Sequence, residues 1–211
     1  GIVTVDEIVD VIREEATEDF LQMAGAGKDR EILMKSSWDN ARSRLPWLFA
    51  SWIGGVCAAT IIGIFDNTLQ STLALAAFIP VVIGMGGNIG TQTSTLVVRG
   101  LATGRVNVGN NINIIFKEIR VGLILGILYG LLLGLFAIVR FMDISPYLGL
   151  VVGLGIACSM LIATAFGSLV PLLLHRMDID PAIATGPFVT TSIDILGVTL
   201  YFVIAKIFLP V

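Results

Sequence analysis

Five apolar runs, at about residues 46–65, 70–98, 117–140, 147–174 and 183–208, dominate this chain. Each is near or above the ~20 residues that an α-helix needs to cross ~30 Å of hydrocarbon. Within lipid every backbone N–H and C=O has to be paired inside its own segment, so runs of this length are expected to fold as helices. Charged residues make up 14% of the chain, well below the ~25% of an ordinary soluble domain, and the mean hydropathy is +0.91. The expected fold is therefore an all-α membrane protein with five transmembrane helices.

The charge that is present sits mostly at the front. Residues 1–45 hold ten of the sixteen acids and six of the thirteen Lys/Arg. Thr4-Val5-Asp6-Glu7 has the form of a capping box, in which the threonine hydroxyl and the glutamate carboxylate satisfy unpaired amides at a helix start. The pattern predicts a helix over about 5–24 with Ile8, Val9, Ile12 and Phe20 on one broad face. Asp6, Glu7, Asp10, Glu14, Glu15, Glu18 and Asp19 crowd the rest. Gly25 and Gly27 end it, and a mixed polar stretch from Lys28 to Arg44 leads to Pro46. The spans are thus preceded by an amphipathic acidic helix. The chain opens at Gly1-Ile2-Val3 with neither an initiator Met nor a signal peptide, as a segment of a longer protein would.

Basic residues orient the bundle. The head before the first span carries six, and the connection from about 99 to 120 carries Arg99, Arg105, Lys117 and Arg120. The connection around Asp66-Asn67-Thr68 has none. The positive-inside rule then puts the N-terminus in the cytoplasm and, with five spans, the C-terminus outside. His175-Arg176 agrees, whereas Arg140 and Lys206 fall on the outer side.

The second and fifth runs do not read as plain lipid-facing helices. The second carries Pro80, then Gly84, Gly86, Gly87 and Gly90, with Asn88, Thr91, Gln92, Thr93, Ser94 and Thr95 at hydrocarbon depth. The fifth contains Gly186-Pro187 and continues Thr190-Thr191-Ser192-Ile193-Asp194. Such groups are tolerated only against protein or water, so both runs are expected to line a cavity. The glycines by themselves also suit a close helix crossing.

Asp194 is read as the one acid deep in a span, where insertion costs about 2.5–3.5 kcal/mol. Thr190 and Thr191, four and three residues before it, share its side of the helix. No Lys or Arg lies at matching depth, so a mobile cation is the expected counter-charge. A homodimer would bring two copies around one axis. Two carboxylates on one path suit a hard divalent ion such as Mg²⁺, which holds its waters and takes few protein carboxylates. The residues alone leave Mn²⁺ and Co²⁺ open.

Other classes are disfavoured. Cys57 and Cys158 lie in separate apolar runs and form no CxxC pair. No basic stripe with interleaved aromatics suggests nucleic acid. An intramembrane aspartyl protease needs two carboxylates sharing a proton, and a single deep acid does not supply them. A cation-coupled secondary transporter of divalent metals, with Asp194 exchanging a proton or Na⁺, remains the alternative to a channel.

The string Pro80-Val81-Val82-Ile83-Gly84-Met85-Gly86-Gly87-Asn88-Ile89-Gly90-Thr91-Gln92, followed by Thr95-Leu96-Val97-Val98-Arg99-Gly100-Leu101-Ala102-Thr103-Gly104, resembles the signature of the MgtE family of magnesium channels. The resemblance runs the length of the chain. Residues 1–45 are similar to the end of that family's second CBS domain and its connecting, or plug, helix, and 46–211 to its five-helix pore domain. It implies a homodimer with the pore on the two-fold axis, lined by the second and fifth spans, in the inner membrane of the cell. It also implies that Asp194 recognises hydrated Mg²⁺ entering the cytosol down its gradient. Asn88, Gln92, Thr190 and Thr191 are the pore-lining candidates, and Glu14, Glu15, Glu18 and Asp19 the gating-helix candidates. The family's cytosolic N-terminal and CBS domains, which sense intracellular Mg²⁺, are not in this sequence.

Overall fold

A computed structural model describes residues 4–26, 34–106, 111–145 and 147–209. Gly1-Ile2-Val3, read from sequence as the end of a CBS domain, and residues 27–33 of the polar stretch lie outside the described residues. Among the described residues seven α-helices run in chain order: α1 Val5–Met23, α2 Ser37–Ile64, α3 Asp66–Ser71, α4 Ile79–Ala102, α5 Asn111–Arg140, α6 Leu148–Arg176 and α7 Pro187–Phe208. Short 3-10 turns, Leu73–Phe78 and Pro181–Thr185, lead into α4 and α7. Five helical segments are long and apolar enough to cross a membrane, and no strand occurs among the described residues.

The capping box forms as the sequence predicts. The Thr4 amide donates to Glu7 Oε2 at 2.7 Å and the Glu7 amide to Thr4 Oγ1 at 3.4 Å. The Thr4 amide, and after it the Thr4 hydroxyl, which donates to the same oxygen at 3.1 Å, stabilise the charged carboxylate and hold the Glu7 acid below its usual range. Three boundaries differ from expectation. The first span begins at Ser37, nine residues before Pro46, because Ser36 caps it by accepting from the Asp39 amide at 3.3 Å. Pro46 therefore sits inside a helix, with apolar residues around it that continue the span. The third span is already helical at Asn111 rather than from near 117, so the polar-apolar run ending in Lys117-Glu118 belongs to the helix. The fifth span is shorter than read: a 3-10 turn takes up 181–185, and α7 starts at Pro187.

Helix α6 is the hub, the most buried of the spans, with α4, α5 and α7 around it. Antiparallel α5 and α6 meet along small residues. A methyl at Gly130 would lie 2.7 Å from the Gly153 carbonyl oxygen, and one at Gly134 2.7 Å from that of Gly149. The close approach that van der Waals packing in a membrane needs is thus made by glycine. One apolar cluster gathers Leu75, Phe78, Val82, Leu148, Val151, Val152, Tyr201 and Phe202, and the Tyr201 hydroxyl donates to the Leu75 carbonyl at 3.1 Å. A second gathers Ile89, Ile156, Met160, Ala163, Val189 and Ile193. The first span, α2, is the least buried and packs on α7.

Candidate ion pathway

Two side chains, one from α7 itself and one from α6, set the position of Asp194. On α4, Gly86 and Gly90 leave a notch filled by Ile193 of α7: a methyl at Gly86 would come within 3.1 Å of Ile193 Cγ2, and one at Gly90 would overlap Ile193 Cδ1. From α6, the Ser159 hydroxyl enters between α4 and α7 and donates to the Val82 carbonyl at 3.3 Å. Methyl groups at Gly86 and Gly197 would press on its oxygen at 2.6 and 2.7 Å. With Ile193 seated on α4, the next residue along α7 is turned about 100° around the helix. Its carboxylate lies beside Gly87, where a methyl would stand 3.6 Å from Asp194 Oδ1.

That carboxylate is half-buried and opens into a cavity of about 320 Å³ between α2, α4 and α7. Thr190 and Thr191 line the cavity with it, together with Ser51, Gly54 and Ile83. Neither threonine hydrogen-bonds Asp194; they share the cavity with it. Thr190 Oγ1 donates to the Pro187 carbonyl at 3.2 Å, and Thr191 packs on Gly54 so closely that any side chain there would overlap it. Among the described residues, no hydrogen bond or ion pair reaches the Asp194 carboxylate, and none form a group of three or more His, Cys, Asp or Glu able to hold a metal. Asp194 is the eighth residue of α7, about 10 Å along the axis from its start. It therefore lies nearer one end of the span than the sequence alone implies.

Asn88 and Gln92 are elsewhere. With Gly84 they recur every fourth residue on the exposed side of α4, and half-buried Thr91 and Thr95 flank them. The structure therefore brings Asp194, Thr190 and Thr191 to one cavity, with Gly87 joining it to a polar stripe carrying Asn88 and Gln92. The four glycines of the motif divide by role: Gly86 and Gly90 serve packing, whereas nothing lies within 4 Å of a methyl built at Gly84, and Gly87 borders the acid.

The gating-helix candidates lie on α1, apart from this cavity. Glu14 and Glu15 are exposed, and Glu18 and Asp19 are half-buried. The end of α1 rests on the turn before α7. The buried Gln22 side chain donates to Asp180 Oδ2 at 2.8 Å, and Asp180 Oδ1 accepts from the Ala182 amide at 2.9 Å.

One acid escapes the sequence reading. Glu118, which the sequence places in a polar connection, is 9% exposed and accepts from Thr93 Oγ1 at 3.2 Å. Asp194 is therefore not the only acid buried among the spans. The two do not form a protease-like pair: their contacts on α4, Gly87 and Thr93, are six residues apart, about 9 Å along the axis.

A sequence model of the MgtE family, described as divalent cation transporter, matches residues 79–204, the stretch from the start of α4 into α7. The chain is 39% identical over 209 residues to the magnesium transporter MgtE of Bacillus subtilis. It is 36% identical over 209 residues to that of Enterococcus faecalis. With the one from Thermus thermophilus it shares 35% over 212 residues. Each match covers 99% of this chain and 45–46% of the relative, so the chain spans a little under half the length of the curated relatives it matches.

Proposed function

The chain belongs to the MgtE family of divalent cation transporters, and from that premise we propose that it forms the membrane pore of a Mg²⁺ channel. Hydrated Mg²⁺ passes into the cytosol down its electrochemical gradient, between two copies of the chain related by a two-fold axis. The observation that carries the reading is the Asp194 carboxylate, half-buried beside Gly87 in a cavity with Thr190 and Thr191. An unneutralised acid inside an apolar bundle is costly unless a cation visits it. The names of the three relatives support the choice of magnesium.

Mg²⁺ keeps most of its water in such sites and accepts one or two carboxylates. A single Asp194 from each copy, acting through the ion's water shell, matches that style better than a closed cage of ligands. The amides of Asn88 and Gln92 would face the same water from α4, and the Thr190 and Thr191 hydroxyls from α7. The cluster of Arg99, Arg105, Lys117 and Arg120 supports a cytoplasmic N-terminus, with the C-terminus outside. Helix α1, with Glu14, Glu15, Glu18 and Asp19, would face the cytosolic N-terminal and CBS domains of a longer protein.

Replacement of Asp194 by Ala is expected to abolish Mg²⁺ uptake in a transport-deficient cell while the protein still reaches the membrane. Unchanged uptake would overturn the assignment. Electrical recording separates the mechanisms: a current independent of any pH or Na⁺ gradient supports the channel, and strict dependence on one supports a coupled transporter. Competition by Mn²⁺ and Co²⁺ in the same recording measures how far the site prefers Mg²⁺.

A further inference from the structure

Helices α4 and α5 share no extensive face; both lean on α6. Where they approach, Val97 and Leu101 of α4 cluster with Leu172 of α6, and Ile114 and Ile115 of α5 pack against that apolar cluster. One turn from that patch, a long side chain reaches across: Glu118, 9% exposed, accepts from the Thr93 hydroxyl, itself 2% exposed, at 3.2 Å. This hydrogen bond ties α5 directly to α4, and no salt bridge neutralises Glu118 among the described residues.

A buried carboxylate with a single neutral partner is a poor choice for stability, since an apolar side chain of like size would fill the interface at lower cost. What such a bond between two helices can do is fix a rotation. Thr93 lies about 100° around α4 from Gln92 and about 140° from Asn88. A helix anchored at Thr93 therefore presents both amides away from the α5 contact, on its exposed side, and a helix released there can turn. Gly86, Gly87 and Gly90, which receive Ile193 and border Asp194, lie on the same helix within two turns and would turn with it.

We propose that Glu118 is a positioning residue for the permeation path: by holding Thr93 it sets the rotation of α4, and with it the placement of Asn88, Gln92 and Gly87 against the ion. The proposal rests on the pore reading given above, but it assigns to Glu118 no contact with the ion.

The test measures Mg²⁺ uptake against Mg²⁺ concentration, and the preference for Mg²⁺ over Ca²⁺, in transport-deficient cells at matched membrane levels of the protein. Thr93→Val and Glu118→Leu are each expected to raise the half-saturating Mg²⁺ concentration about fivefold, the effect of losing one hydrogen bond of ordinary strength. Both should weaken the preference over Ca²⁺. Glu118→Gln retains a carbonyl oxygen that can accept from Thr93, and it is expected to restore both readouts. The double variant Thr93→Val with Glu118→Leu should be no worse than either single change, because both remove the same contact. A Glu118→Gln variant as impaired as Glu118→Leu would overturn the proposal, since charge and not the hydrogen bond would then matter. Unaltered concentration dependence and ion preference in Thr93→Val and Glu118→Leu would overturn it as well. Asp194→Ala in the same assay keeps the two readings apart: if it transports normally the pore assignment fails, whereas its loss beside silent Glu118 and Thr93 variants overturns only the role of Glu118.

Discussion

A methyl group at Gly87 would sit 3.6 Å from Asp194 Oδ1, an ordinary contact distance that the backbone tolerates without shifting. The change Gly87→Ala is therefore expected to leave the melting temperature in detergent nearly unaltered while lowering Mg²⁺ uptake, because the methyl takes space that water around an ion at Asp194 would use. A variant that loses stability and uptake in proportion would show that Gly87 serves packing alone. Asp194 was legible in the sequence because an acid in an apolar run stands out wherever the helix ends fall. Its depth was not legible, since the 3-10 turn of Pro181–Thr185 shortens α7 from its N-terminal side. Glu118 was hidden for the opposite reason: Lys117 and Arg120 beside it read as a polar connection. Only the fold shows that helix periodicity turns Glu118 inward to Thr93 and leaves Lys117 and Arg120 exposed.

At the scale of the elements, α5 and α6 depend on glycine for their crossing. A methyl at Gly153 would come within 2.8 Å of the Gly130 carbonyl oxygen, and a backbone atom has little room to yield. Overpacking of this kind typically costs about 1–3 kcal/mol, so Gly153→Ala is expected to lower the melting temperature in detergent. The contrast with Gly87→Ala is the check. Helix α1 carries a pH prediction. Glu7 is held below its ordinary value of 4.5 by the Thr4 amide and hydroxyl. The cap is thus fully present above that value and is lost as pH falls through the lower folded value. Amide protection in the first turn of α1 is expected to persist near neutrality and to fall only in acid below the ordinary glutamate range, with Thr4→Ala removing the difference. The capping box was legible because it is a local pattern of four residues. The start of α2 was not: Pro46 looks like a boundary, and the competing signal, Ser36 followed three residues later by Asp39, is a weaker form of the same motif.

At the scale of the whole molecule, the exposed stripe of Gly84, Asn88 and Gln92 on α4 does not belong against lipid. Amides at that depth need water or another protein surface, and a single chain offers neither along this face. The stripe itself was readable from composition, whereas what covers it was not, because an interface between copies leaves no periodic mark that separates it from a polar core. If two chains meet with their α4 stripes across a water-filled axis, residues on the stripe face their own counterparts. Cys57 is exposed and Cys158 half-buried, so the test starts from a chain in which both are replaced by Ala. Single cysteines at Asn88 and Gln92 are then treated in membranes with a short bifunctional thiol reagent, since a direct disulfide needs α-carbons within about 7 Å and a path for a hydrated ion is wider. Each is expected to give a cross-linked dimer, and Mg²⁺ is expected to slow the reaction by occupying the space between the thiols. Cysteines at Leu123 and Leu131, exposed on α5, are expected to give none. Equal cross-linking from the α5 positions would mean that collision in the membrane, not a fixed axis, produces the dimer. Absence of cross-linking at Asn88 and Gln92, with both thiols still reactive toward a single-ended reagent, would move the axis off α4 and leave Asp194 without a second carboxylate opposite it.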